Sequence, residues 1–467
     1  MKYISLIIIG IGLPFVLWAV CGILPTFDDF TTLQSPQFTS IWSKELLPND
    51  NFWRPFDFLF GCLLGWNTSL FPTLNHIIII LGHTINTLLV YLICSNLNIN
   101  NVATNIATLF FFFSPASLGA TLACDGLNQT FAQCWGLTAT YCFLTIAGKQ
   151  KIILWGLCTM MAALSKENGL AWAVLPPIIA YAFNQLDKRK TLLYFSIGIG
   201  FAIVYFILRL SLKVSSTIND EYIESTLADH LKDLIQIIVY NWLPIDYMSI
   251  VYASERNWFL ATITLATSIP FLLLLSIKNV SLWKDKTLML LVASFFIVAS
   301  PHLITLVSIM HNYAPLSITA IIIAYLVSKT PADRWLITTF SLFLVTAVIT
   351  DIHHTTGALN SGYFGKRLAM EAIKQTDKPV TRAYVISIDD NTTPKYSSFA
   401  VRPIDAFAWG LSVRHYNSYA WPTNIKDTII YSAEDVLIEH IADSVLKSGF
   451  QHVWVVSNKE NKVISVP

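Results

Sequence analysis

The chain has 467 residues, 54 % of them hydrophobic and only 13 % charged, about half the ~25 % charge of a soluble globular chain. With a mean hydropathy of +0.56 and a net charge of +1, this excludes an ordinary soluble protein, a disordered chain, a collagen, a coiled coil and a disulfide scaffold, and leaves no basic surplus for a nucleic-acid partner. Apolar runs recur along most of the chain, which excludes a single-pass anchor.

Runs of near-spanning length fall at about 4–25, 75–95, 102–120, 128–147, 152–165, 168–185, 191–212, 258–277, 287–308, 314–328 and 335–352. They predict a polytopic α-helical membrane protein of about eleven transmembrane helices. The first run is long and has no clear small-x-small cleavage site, so it reads as a span, not a cleaved leader. With Lys2 on the cytoplasmic side, the clusters Lys149/Lys151, Lys188/Arg189/Lys190, Lys278/Lys284/Lys286 and Lys329/Arg334 all fall in short loops on that side, as the positive-inside rule expects. The opposite loops, 26–74 and 213–257, are longer and acidic. An odd number of spans then puts residues 353–467 outside.

The seven cysteines are Cys21, Cys62, Cys94, Cys124, Cys134, Cys142 and Cys158. None has CxxC spacing, so no zinc site is expected. Only Cys62 and Cys124 read as lying outside the membrane, which leaves a bridge between them open.

The first external loop, 26–74, opens with Phe27-Asp28-Asp29-Phe30. Adjacent carboxylates at a membrane surface repel each other, and such a pair can hold a raised pKa and act as a base; a solvated helix cap is the plainer alternative. Farther along, Trp53-Arg54-Pro55 precedes the apolar FDFLFGCLLGWN, too short to span and suited to the interface. Arg54 reads either as a bidentate phosphate ligand or as a snorkelling arginine.

His76, His83 and Asn86 share about 80° of arc on the next helix, a polar stripe on an apolar span. It either lines a cavity or serves interhelical hydrogen bonding. Asp125, Asn128 and Gln129 top the fourth helix. Ser165-Lys166-Glu167-Asn168-Gly169 joins helices five and six as a tight external hairpin, with Asn168 and Gly169 as its turn residues. Lys166 reads as a point charge for a phosphate fixed by Glu167, or the two form a turn salt bridge. His311 and Tyr313 lie between helices nine and ten.

In the tail, KRLAMEAIKQT reads as a helix, VTRAYVISID and DTIIYSA as strands, AEDVLIEHIADSVLKSG as a helix and HVWVVSN as a strand. This predicts two domains, a membrane domain over 1–352 and a small α/β domain over 353–467. Asp389 and Asp390 read as part of a turn.

Taken together, the acidic pair Asp28/Asp29, Trp53-Arg54-Pro55, the His76/His83/Asn86 stripe, Ser165-Lys166-Glu167 and Tyr313-Ala314-Pro315 resemble the motifs of GT-C fold glycosyltransferases. The similarity runs over roughly residues 1–330. It is to the branch holding the tetratricopeptide-bearing O-mannosyltransferases and their bacterial relatives, including serotype-modifying O-antigen glucosyltransferases. The chain departs from the family pattern at Ile79, at Met310 and in the stretch SPASLGATLACDG, and its tail has no tetratricopeptide repeats. The resemblance implies a GT-C-like fold and a bacterial inner-membrane enzyme with a cytoplasmic amino terminus and a periplasmic tail domain. It implies a polyprenyl-phosphate-linked sugar as donor and a surface glycan, O-antigen or another part of lipopolysaccharide, as acceptor. Asp28 or Asp29 would be the base. Arg54, Lys166 and Glu167 would attend the donor phosphate. His76, His83, Asn86, Asp125, Gln129, His311 and Tyr313 would contact substrate. No metal and no cofactor are expected. A protein hydroxyl as acceptor, or a transporter or flippase for a lipid-linked sugar, are the alternative readings.

Overall fold

The computed structural model describes residues 2–23, 54–56, 73–211, 226–245, 258–303, 307–331, 334–374, 382–388, 424–430, 435–457 and 462–466. The chain forms two compact units. The first comprises Met1–Cys21, Pro36–Val251 and Asn257–His354; the second comprises Gly22–Ser35, Tyr252–Arg256 and Thr355–Pro467.

The first unit is helical. Its helices are α1 (Ile4–Val20), α2 (Thr73–Asn96), α3 (Asn101–Phe112), α4 (Leu127–Thr145), α5 (Gly148–Ser165), α6 (Leu175–Ala182), α7 (Lys188–Ser211), α8 (Leu227–Trp242), α9 (Trp258–Lys278), α10 (Lys286–Ala299), α11 (Tyr313–Lys329) and the first part of α12 (Arg334–Lys374), whose residues from Thr355 on belong to the second unit. A helix follows each apolar run of the sequence. Among the described residues, six stretches are long and apolar enough to cross a membrane, or seven if α3 and the bent continuation Pro115–Thr121 form one span. This is the architecture of an α-helical membrane protein. The run at 168–185 is not one α-helix. It starts as a 3-10 helix, Glu167–Ala173, and becomes α-helical only from Leu175.

Local chemistry sets the ends. Asn100 caps α3 by accepting the Ala103 N–H at 2.9 Å, and Asp285 caps α10 by accepting that of Leu288 at 3.1 Å. Asn98 and Asn184, with φ of 58° and 57°, turn the chain after α2 and α6 in the left-handed region that asparagine tolerates.

α11 is the centre of the unit. Nearly all of its residues are buried, against α3, α10, α2 and α8. The outer helices carry their apolar side chains outward: Ile7, Ile11, Phe15 and Trp18 form one exposed stripe on α1, and Ile203, Phe206, Ile207 and Leu210 are exposed on α7. Such surface is a liability in water and a fit to hydrocarbon. Where helices meet inside, small residues set the spacing. Gly136 of α4 lies against the indole of Trp172, and Gly198 of α7 against the backbone carbonyl of Ala173.

The second unit contains a four-stranded sheet of order β2-β1-β3-β4, with β1 (Arg382–Ile388), β2 (Asn424–Ile430), β3 (His452–Ser457) and β4 (Lys462–Val466). β1 runs parallel to β2 and β3, and β4 is antiparallel to β3. The helix α13 (Asp435–Lys447) supplies Ala442 and Val445 to a core with Ile386, Ile388, Phe450, Val453 and Val455. Val385, Trp454 and Val456 are buried as well, so both faces of β1 and β3 carry buried apolar side chains, as parallel strands do. β4, Lys462–Val466, is a strand beyond those predicted from the sequence. The predicted helix KRLAMEAIKQT does not stand alone, because it continues α12 through Lys374.

Gly136→Val would push a branched side chain into the buried Trp172 ring. The variant should lose about 1–3 kcal/mol, read as a lower melting temperature in detergent than the wild-type chain.

Candidate functional site

The site begins at a break in a helix. α5 stops at Ser165, Lys166 is extended at φ −155° and ψ 143°, and the 3-10 helix starts at Glu167. The sequence predicts a turn here from Asn168 and Gly169, but Gly169 has no positive φ. Its role is clearance: a Cβ there would overlap the backbone of Ala162, so only glycine lets the 3-10 helix fold back onto α5. That return presents Lys166, Glu167 and Asn168 to three different neighbours.

Glu167 is held by arginines. Arg54 Nε donates to its two carboxylate oxygens at 3.2 and 3.1 Å, and Nη2 donates to Oε2 at 2.9 Å. Arg209, in the last turn of α7, brings Nη1 to 3.8 Å of Oε1. The three side chains keep 20–30 % of their surface. Burial by itself would push the Glu167 carboxyl up; the charge and hydrogen bonds of Arg54, with Lys166 adding to them, outweigh it and hold the carboxyl below its ordinary value.

Lys166 takes a different partner from the one the sequence suggests. Its ammonium donates to Asn128 Oδ1 of α4 at 3.3 Å and is 8 % exposed. Glu167 therefore anchors Arg54 and Arg209 in place of its neighbour in sequence. One residue along α4, Gln129 Oε1 accepts from Asn168 Nδ2 at 3.3 Å, and the same Nδ2 lies 3.1 Å from His302 Nε2. The His302 ring stacks on His311 at 4.6 Å between centroids.

The polar stripe of α2 divides. His83 Nδ1 lies 2.9 Å from the Tyr313 hydroxyl and Nε2 3.1 Å from the Phe112 carbonyl, with the ring stacked on Phe111 and Phe112. Asn86 Nδ2 donates to the same hydroxyl at 2.9 Å and to the Thr130 carbonyl at 3.1 Å. His83, Asn86 and Tyr313 thus tie α2, α3, α4 and α11 together, which is the interhelical-bonding reading of the stripe. His76 stands apart, with Nε2 3.8 Å from the Cys124 thiol.

Of the other residues singled out from sequence, Asp28, Asp29 and Cys62 lie outside the described residues, as do Asp389 and Asp390. Asp125 sits in a 3-10 turn, Cys124–Gly126, before α4; its side chain lies outside the description. Sequence reasoning missed Arg209, His302 and the role of Asn168. Arg209 had a signal, a lone cation ending an apolar run on the side poor in positive charge. For His302 the signal was only a polar residue near the end of an apolar run. Among the described residues no group of three or more His, Cys, Asp or Glu could hold a metal ion.

No protein-family model matches the chain, and no curated protein matches it.

The folded Glu167 titrates below its unfolded value, so its pairing stabilises the chain above pH 4.5, its ordinary pKa, and the gain fades as pH falls below that. Glu167→Gln should melt below the wild-type chain at pH 7, and the two melting temperatures should converge as the pH is taken toward 3.

Proposed function

We propose that this chain is an integral-membrane inverting glycosyltransferase that moves a sugar from a polyprenyl-phosphate donor to a surface glycan. The observation that carries the reading is the grouping of Arg54, Lys166 and Arg209 around the break at Ser165, with Glu167 as the carboxylate that positions two of them. These cations stand at the end of the bundle opposite the lysine and arginine clusters. Arg209 sits within a turn of the end of α7, which is headgroup height for a spanning helix. A lipid-linked phosphate needs cations at that height. A transporter needs them there less than at mid-membrane.

The apolar runs give about eleven spans and the loop charges a cytoplasmic amino terminus with the tail domain outside; the motif resemblance adds a GT-C-like fold and a bacterial inner membrane, which makes the tail periplasmic. The acceptor is O-antigen or another lipopolysaccharide glycan. One carboxylate of Asp28/Asp29 takes the proton of the acceptor hydroxyl as its oxygen attacks the anomeric carbon. The bond from that carbon to the phosphate oxygen breaks, and polyprenyl phosphate leaves with the electron pair. Lys166 and the two arginines stabilise the charge that grows on it. His83, Asn86 and Tyr313 tie α4, whose Asn128 meets Lys166, to α2, α3 and α11.

Transfer from a polyprenyl monophosphate sugar, without ATP or an ion gradient, tests the reading directly. Lys166→Ala should raise the donor KM about tenfold or more, and Lys166→Arg should recover part of it. Asp28→Asn and Asp29→Asn should be compared; full activity in both would remove the base. A cysteine placed at Ser457 should react with an impermeant thiol reagent in intact cells, and protection there until lysis would reverse the orientation.

A further inference from the structure

Next to the cations lies a second polar cluster with no net charge. With the Asn168 amide placed so that Nδ2 faces both Gln129 Oε1 and His302 Nε2, at 3.3 and 3.1 Å, Nδ2 donates to each and the ring nitrogen accepts. His302 is therefore the neutral tautomer with its proton on Nδ1. His311 Nδ1 accepts the Ser308 N–H at 3.1 Å, so this ring is neutral with its proton on Nε2. The two stacked rings each keep one N–H to give. Beside them, Asn168 is 6 % exposed and its Oδ1 has no hydrogen-bond partner; Gln129 is 1 % exposed and its Nε2 has none. A buried amide left without a partner is costly unless a ligand or water completes it.

The cluster thus offers donors (His302 Nδ1, His311 Nε2, Gln129 Nε2) and an acceptor (Asn168 Oδ1), all uncharged. Hydroxyl groups both donate and accept, and a ring bearing several of them matches such a set, whereas a phosphate would find one acceptor too many and no charge. Its tie to the cations is covalent on both sides: Asn128 and Gln129 are consecutive on α4, and they bind Lys166 and Asn168, two residues apart. A ligand spanning both clusters carries a phosphate and a hydroxylated ring within a few ångströms of each other.

We infer that His302, His311, Asn168 and Gln129 form the subsite that holds the hydroxyls of the donor's sugar, one bond away from the phosphate held at Lys166. This rests on the glycosyltransferase reading; it narrows the substrate contact expected of Gln129 and His311 to the donor's sugar and adds His302 and Asn168 to it. His302 and Asn168 enter as specificity-determining residues.

The test uses the full-length chain in detergent and short polyprenyl phosphates, bare and carrying glucose, galactose or mannose. The wild-type chain should bind one glycosylated form more tightly than the bare phosphate. His302→Leu should abolish that preference, a loss of about tenfold, while binding of the bare phosphate stays unchanged. His302→Gln, which returns an N–H donor, should restore part of the preference. Lys166→Ala should weaken both ligands alike. Melting temperatures of each variant separate a lost contact from a lost fold, and Gln129→Leu, at a side chain already within α4, provides a second reading of the same subsite. Equal binding of bare and glycosylated phosphate by the wild-type chain would overturn the sugar subsite and leave the phosphate site standing. So would a His302→Leu variant that keeps its preference, or one that shifts only the acceptor KM. Failure of every polyprenyl phosphate to bind the wild-type chain would overturn the glycosyltransferase reading itself, and the subsite with it.

Discussion

The close approach of Gly169 to Ala162 is the contact on which the site depends. α5 must end and the chain must return against it within a few residues. In hydrocarbon an abrupt end leaves carbonyls and N–H groups unpaired, so a return is tolerated only where the backbone finds partners at once. Here the Lys166 N–H still bonds to the Ala162 carbonyl at 3.0 Å, and the Gly169 N–H bonds to the Lys166 carbonyl at 2.9 Å. The 3-10 helix is the tighter winding that this proximity requires. Its consequence is angular. Three consecutive side chains, Lys166, Glu167 and Asn168, leave the backbone toward α4, toward Arg54 and Arg209, and toward His302.

Two kinds of polar interior coexist in the helical unit. Around His83 the bonds run between helices: both ring nitrogens, the Tyr313 hydroxyl and the Asn86 amide nitrogen have partners on other helices, and only Asn86 Oδ1 of this group is unmatched. Bonds between helices in a low-dielectric interior rigidify the elements they join. Around Asn168 the bonding is left open, with an acceptor and a donor unmatched among buried atoms. The first network holds four elements in register, and the second keeps hydrogen-bonding capacity in reserve beside the cations.

Charge is distributed with the same asymmetry. At one end of the bundle lysines rest on aromatic faces, as Lys286 does over Tyr181 at 3.4 Å and Lys151 over Phe143 at 4.8 Å. At the other end the cations are drawn inward and tied to side chains: Arg54 and Arg209 to Glu167, Lys166 to Asn128. Snorkelling alone gives the first pattern and not the second, because a snorkelling side chain reaches for water. Taking a lysine to 8 % exposure costs desolvation that a polar partner offsets. Arg54 and Arg209 reach Glu167 from separate segments, so the carboxylate also fixes where those segments meet.

By itself the sequence determined the class of fold and much of the site's membership. Apolar runs of spanning length demand helices in hydrocarbon, because no other open structure satisfies its backbone there, and helical structure follows the runs, broken by 3-10 turns in those at 102–120 and 168–185. The alternation of apolar and polar residues after position 380 likewise marked β1, β3 and α13. Arg54, Lys166, Glu167, Gln129 and His311 stood out because charge and imidazole are expensive at those places. What the sequence could not decide was pairing. Lys166 and Glu167 are adjacent, and adjacency suggested an ion pair; a helix break turns neighbouring side chains to different sides, and only the folded chain brings Arg209 from α7 and Arg54 from the first loop to the carboxylate. The stripe of His76, His83 and Asn86 has one face by periodicity, yet its members have different partners, since what a face meets depends on the helices packed against it. His302 carried almost no local signal, and its place beside Asn168 is made by a contact across 134 positions of sequence.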